Sequence, residues 1–400
     1  MKASRRTFLA AAPALSVAAG ALARPRTPAS SSHRAASDPW VEVNGANARH
    51  NAGEIARVTR RPILAVIKNN GYGAGVDTIA RAIESLDAIH GFAVVKIDEA
   101  FRLRDAGVRK PILLMGPFDE RHIGDLAARE IRPMVYTPPG PELERVAARM
   151  HRPITVHVCV DTGIGRVGVP HREAAEFLRA LSRRTAAHVE RTMMTFTEDA
   201  AFDAEQLARF TALLDSLRTE GIRFGRRHAA SSYALFQRPG PDPFLDMVRP
   251  GMAIFGVYPE PAFRGLNLLD LRPVLALRSR VVYVKQLRAG DSAGYNRAFR
   301  AERDVWIATL PVGHADGLPR VAAKGAKVRI NGTLYPIVAS VSASHTIVEL
   351  GDRQAVKIGD VATIFDWEDG SRPEDVSAAC GASVYDLLMH LSPLLERREV

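Results

Sequence analysis

The stretch Pro62 to Gly75, "PILAVIKNNGYGAG", sets a lysine, Lys68, at the end of a short apolar run and a glycine-rich turn directly after it. The run reads as a buried strand, because four to eight apolar residues bounded by Pro and Gly are too few for a helix. The segment that follows, "GVDTIARAIESLDA", carries apolar residues at three- and four-residue spacing and reads as a helix. The same pair then recurs. "IHGFAVVK", "PILLMG", "RPMVYT", "PITVHVCVD", "HVERTMMTF", "RFGRRHAAS" and "PFLDMVRPGMAIFG" each mark a further strand, with helical patterns between most of them. Eight such units predict an α/β fold, an eight-stranded parallel (β/α)8 barrel, in preference to an open sheet.

After about Leu271 the period changes to alternation. "VLALRSRVVYVKQL", "DVWIATLPVG", "AKVRINGTLYPIVASVSASHTIVEL" and "KIGDVATIFD" are β-rich, and Asn331-Gly332 between two runs predicts a two-residue hairpin. The tail, "SVYDLLMHLSPLLERREV", is helical in pattern, and its charged end reads as a solvated face. The expected organisation is a barrel domain over residues 38–270 and a C-terminal β domain over 271–400.

The N-terminus differs from both. Arg5-Arg6 precede "TFLAAAPALSVAAG" and Ala21-Leu22-Ala23, the layout of an export signal of the twin-arginine type. Its apolar part is short, Ala-rich and interrupted by Pro13, which disfavours a membrane span. The expectation is cleavage near Ala23, a flexible linker over 24–37, and a periplasmic or otherwise exported protein with no span in the mature chain.

Hydrophobic content of 46% and charged content of 24% suit a folded globular chain. The formal charge of +10 falls to +7 without residues 1–23. The arginines are dispersed with no aromatic-basic stripe, so a nucleic-acid partner is not indicated, and the basic excess reads as a general solubility property or as favouring anionic ligands. Two cysteines, Cys159 and Cys380, make no disulfide framework. No His or Cys pair has metal-ligand spacing, so no metal is expected, and His157 within its strand reads as a core or surface residue.

Barrel chemistry sits at the C-terminal ends of the strands, where Lys68 lies. On position alone a lysine paired to a carboxylate is the plainer reading. Desolvation there would instead favour a nucleophilic amine able to form a Schiff base. Other strand ends supply matching parts: Arg166 in "VDTGIGRVGV", Ser231 and Ser232 in "HAASSY", Arg249 and Gly251 in "VRPGMAIFG". Hydroxyls, a glycine amide and Tyr72 suit a phosphate, and the constellation suggests pyridoxal 5′-phosphate.

With "AVIKNNGYGAG", "VDTGIGRVGV", "VRPGMAIFG", "AGYNRAF" and "TLPVGHADGLPR" in this order, the chain resembles the alanine racemase family from Trp40 to the C-terminal tail. The resemblance implies a pyridoxal-phosphate-dependent amino-acid racemase with Lys68 and Tyr295 as opposed bases. It implies a homodimer with composite active sites, since the family's tyrosine comes from the partner's β domain. Tyr72, Ser232 and the Gly251 amide would then bind phosphate. Arg166 would lie near the phenolic oxygen, Arg249 would face the pyridine nitrogen, and the Ala343 amide would hold the substrate carboxylate with Arg166 nearby.

Departures from the family's pattern also stand out. Cys159 takes the place of a carbamylated lysine, Thr195 that of a histidine, and His314 that of an entry tyrosine. Ser344 replaces an aspartate, and Pro393 is expected to replace a phosphate-binding tyrosine. Small residues at Ala343, Ser344 and Thr195 suggest acceptance of amino acids larger than alanine, the family's default. The competing expectation is an exported cofactor-binding homologue with weak or different chemistry, such as a decarboxylase. The retained pair Lys68 and Tyr295 favours racemisation, which needs a base on each face of Cα.

Overall fold

The structure, a computed structural model, describes residues 38–400. The expected signal and linker, residues 1–37, lie outside the described residues.

Seven parallel strands follow one another around the barrel in chain order: Ile63–Val66, Ile89–Val94, Ile112–Leu114, Ile131–Val135, Ile154–Asp161, Ala187–Met193 and Arg226–His228. The eighth position is filled by the chain around Val248. It bridges Ile63 in parallel, accepts from Leu64 N at 2.9 Å, and is followed by Pro250, whose carbonyl accepts from Val66 N at 2.9 Å. The barrel therefore closes, as expected from eight repeats. The last wall is a bridge rather than a full strand because Pro62 and Pro250 carry no N–H for a ladder.

The surrounding helices show why their sequences fold as they do. Pro141–Met150 opens on a proline, whose missing N–H is harmless there, with Glu142 and Glu144 in its first turn and Arg149 in its last. Leu143, Val146 and Ala147 recur on one face and are buried against the barrel.

A nine-stranded sheet forms the β region, in the order Tyr283–Leu287, Val305–Leu310, Thr346–Gly351, Thr333–Val338, Lys327–Ile330, Val361–Phe365, Leu275–Arg280, Trp40–Val43 and Glu396–Glu399. Asn331 and Gly332 both have positive φ, 49° and 80°, and join Ile330 to Thr333 as the predicted hairpin.

Two placements differ from the sequence reading. Trp40–Val43, ahead of the barrel in sequence, pairs antiparallel with Leu275–Arg280 and so belongs to the β sheet. The charged end of the tail is the strand Glu396–Glu399, parallel to Trp40–Val43, rather than a continued helix. Edge strands tolerate such charge because one side faces water. Among the described residues, no helix is long and apolar enough to cross a membrane.

Candidate active site

Lys68 leaves the first barrel strand and opens a single turn, Lys68–Tyr72, in which Asn69, Asn70 and Gly71 have φ of 54°, 55° and 60°. Left-handed backbone costs a non-glycine residue about 1–2 kcal/mol, so the turn must be held. The Asn70 amide donates to Glu99 Oε1 at 2.7 Å. Gly73, at φ 94°, lies where a Cβ would stand 2.4 Å from the Leu388 carbonyl oxygen. The turn is thus clamped between a barrel helix and the C-terminal helix Val384–Met389.

The Lys68 amine is half-buried and makes no hydrogen bond or ion pair among the described residues. Burial, then the Arg166 guanidinium, pulls its pKa below the ordinary lysine value, against an opposing pull from Glu99. Of the sequence's two readings, the amine without a carboxylate on it is the one observed.

Tyr72, Ser232 and Gly251 meet beside this turn. Tyr72 is buried and stacks on Phe255 at 4.8 Å between centroids. The Gly251 Cα faces the Tyr72 hydroxyl so closely that a Cβ would lie 2.3 Å from it. Ser232 Oγ accepts from the amides of Gly251 at 3.0 Å and Ala253 at 3.1 Å, which orients its own proton away from them. The Gly251 amide, expected to face a phosphate, is engaged by this serine. Ser231 is half-buried and forms no hydrogen bond among the described residues.

One hydroxyl was missed by sequence reasoning. Tyr385, in the first turn of Val384–Met389, is close enough to Tyr72 to help push that phenol's pKa up, after burial. Its own is pushed to about 12 by burial, with Glu198 and Glu260 adding to it. Pro393 is exposed in the connection to the last strand, and it is Tyr385, not residue 393, whose charge couples to Tyr72. The available signal was "SVYDLL", a capped helix start carrying a tyrosine.

Arg249 lies deeper. Its Nη1 donates to His228 Nδ1 at 2.8 Å, and its Nη2 to the Met194 carbonyl at 2.9 Å and Thr195 Oγ1 at 3.3 Å. Burial lowers its pKa to about 10, which still leaves it charged at neutral pH. Cys159 is buried and its thiol is pushed to about 11 by burial, so it brings no negative charge. Arg166 is exposed and forms no hydrogen bond or ion pair among the described residues. The mouth therefore gathers Lys68, Arg166 and Arg249 around neutral hydroxyls, an environment for a phosphate and a carboxylate. These residues fit pyridoxal 5′-phosphate: a glycine-lined hydroxyl cradle, a free amine, and a donor-only guanidinium.

Tyr295 and Ala343 are not beside Lys68 in the single chain. Tyr295 is 72% exposed on the β region, with no hydrogen bond to the barrel among the described residues. Its turn packs through Gly294 on Ala339, from which the chain runs into Ser342–His345. That segment is tied to the "GHADG" loop by His314 N to Ser342 O and Ala315 N to Ala343 O, each 3.0 Å. The Ala343 amide donates to nothing among the described residues, and Ser344, His345 and His314 are exposed. The predicted residues fall into two groups, one on the barrel and one on the β sheet.

Family models match both parts of the chain. A model of the alanine racemase N-terminal domain matches residues 43–259, and one of the C-terminal domain matches 274–399. The chain belongs to the alanine racemase family. It is 30% identical to the alanine racemase of Clostridium kluyveri over 358 residues, 87% of this chain and 90% of that one. With the alanine racemase of Desulforamulus reducens it shares 33% identity over 334 residues, 82% and 89% of the two chains. The crystal structure of alanine racemase from a D-cycloserine-producing Streptomyces lavendulae superposes with a TM-score of 0.83 at 26% identity, covering 91% of this chain and 97% of that one.

Proposed function

We propose that this protein is a pyridoxal-phosphate-dependent amino-acid racemase that interconverts L- and D-alanine and takes larger side chains as well. When bound, the cofactor draws electrons from the amino acid Cα and makes its proton removable. Lys68 Nζ takes or returns that proton on one face, which its lowered pKa favours. The Tyr295 hydroxyl of a second copy does so on the other. Arg249 stays charged and donates without giving up its proton. Arg166 and the Ala343 amide hold the substrate carboxylate. Tyr72, Tyr385 and the Ser232 hydroxyl hold the phosphate. The exposed, short side chains of Ala343 and Ser344 support the wider substrate range.

The observation that carries the reading is the split of the two bases: an unpaired amine at the barrel mouth and a tyrosine 72% exposed elsewhere on the same chain. A head-to-tail homodimer brings each tyrosine to the other copy's lysine and gives two equivalent sites. We also propose export by the twin-arginine-type signal, supported by Arg5-Arg6 and the Ala-rich stretch.

Subunit complementation tests the reading. Lys68→Ala and Tyr295→Phe proteins should each be inactive. After dissociation and remixing, half the dimers should hold one intact site, restoring about a quarter of wild-type activity. No recovery in mixed dimers would overturn the shared site, and absence of racemisation by the wild type on any amino acid would overturn the activity.

A further inference from the structure

Glu190, His157 and His228 form a line across the barrel core that ends on Arg249. Arg249 Nη1 donates to His228 Nδ1 at 2.8 Å. A guanidinium has donors only, so Nδ1 accepts and the proton of the neutral ring sits on Nε2. At the other end, His157 Nε2 lies 3.0 Å from Glu190 Oε2. Burial opposes ionisation of Glu190, but His157 and Arg132 outweigh it and hold the carboxyl at about 2. An ionised carboxylate only accepts, so His157 Nε2 donates and its Nδ1 is left as an acceptor. Burial keeps both imidazoles neutral.

The two rings meet edge to face with centroids 5.4 Å apart. Neither His157 Nδ1 nor His228 Nε2 has a partner within the described residues, and neither does Arg191 Nη1. Arg191 is the register partner of His157 on the next strand, and its other terminal nitrogen donates to His90 Nε2 at 2.8 Å. All three residues are 4% exposed or less. A buried polar atom left unpaired costs about 1–3 kcal/mol, and because these three belong to residues that are ring or register neighbours, one shared partner would satisfy them all. Their roles differ: Arg191 Nη1 and His228 Nε2 donate, and His157 Nδ1 accepts. One water accepts two hydrogen bonds and donates one, and three polar partners are what a buried water typically has.

We propose that a single internal water joins Arg191, His228 and His157, and that through it Glu190 is a positioning residue for Arg249. Its consequence for catalysis rests on the racemase reading. The carboxylate sets the tautomer of His157, His157 sets which way the water points, and the water sets the tautomer of His228. Reversing the first link reverses the rest. In Glu190→Gln, Arg132, whose Nε lies 2.8 Å from Glu190 Oε2, claims the amide oxygen and turns the amide NH2 on His157. His157 must then accept at Nε2 and carry its proton on Nδ1. The water now meets three donors, and His228 relieves this by accepting at Nε2. That puts a proton on Nδ1 against the Arg249 N–H, and the arginine is displaced.

The test uses holoenzyme labelled with nitrogen-15 at histidine. Nitrogen shifts should report Nε2–H for both His157 and His228 at neutral pH. Glu190→Gln should convert His228 to Nδ1–H, shift the cofactor's absorption band, and lower kcat about 10-fold at unchanged KM. Arg132→Gln removes the neighbouring cation but leaves the carboxylate on His157. It should keep both tautomers and hold kcat within about two-fold, whereas a merely structural network would lose as much in this variant. A wild-type His157 or His228 with its proton on Nδ1 overturns the proposal even where Glu190→Gln does not fold. So does a folded Glu190→Gln with unchanged tautomers and kcat. Predicted tautomers in a protein that racemises nothing would instead sink the racemase reading and leave the relay standing.

Discussion

A Cβ on Gly251 would stand 2.3 Å from the Tyr72 hydroxyl. The tyrosine cannot swing aside, because its ring is buried on Phe255 at 4.8 Å. Gly251→Ala should therefore disturb the hydroxyl cradle before it disturbs the fold. Cofactor affinity should fall at least about 10-fold, the equivalent of one lost hydrogen bond of about 1.4 kcal/mol. Fluorescence titration of the cofactor-free protein measures it, and an unchanged Kd would place the phosphate elsewhere.

Tyr385 should matter for cofactor retention and Pro393 should not. Tyr385→Phe removes one hydroxyl from a partly buried place and should weaken binding about 5- to 10-fold. Pro393→Ala, on an exposed connection, should leave it unchanged. Equal effects would remove Tyr385 from the site.

Electrostatics at Lys68 give a signed expectation. In the cofactor-free protein the amine should lose its proton below the ordinary lysine value, through burial and the Arg166 charge. Burial and Arg166 both disfavour the ammonium, so Arg166→Gln should move the titration to higher pH. Glu99 favours the ammonium, so Glu99→Gln should move it lower. The rate of amine labelling against pH reads both shifts, and movement in the same direction would contradict the assignment.

Gly73 carries a stability expectation. It has φ 94° and faces the Leu388 carbonyl, so Gly73→Ala meets both backbone strain and a clash 2.4 Å from an oxygen. Loss of about 2–4 kcal/mol is expected in denaturant unfolding, with the C-terminal helix released first.

The barrel was legible because each repeat joins a short apolar run to a helix-period segment, and those periods arise locally. That Lys68, Tyr72, Ser232 and Arg249 lie at one end of the barrel could be read for a related reason, since strand ends of a barrel converge whatever lies between. What escaped depends on partners distant in sequence. Nothing in "WVEV" says that its strand joins a sheet begun more than 230 residues later, or that "ERRE" lies beside it as an edge. Tyr385 owes its place near Tyr72 to the helix Val384–Met389 packed on Gly73, a contact between residues more than 300 positions apart. His157 and Glu190 read as ordinary strand residues, because tautomer logic appears only when both ends of a hydrogen-bonded line are known.

The parallel pairing of Trp40–Val43 with Glu396–Glu399 ties the first described strand to the last, and Val400 N also donates to Val43 O at 3.0 Å. On the ribosome, the barrel repeats can assemble in the order they emerge, but this sheet edge stays open until translation of residue 399 is done. A chain cut short before Glu396 would carry the cofactor cradle beside an unfinished sheet. Folding of the β sheet is thus tied to the arrival of residues 396–399, whereas the barrel needs none of them.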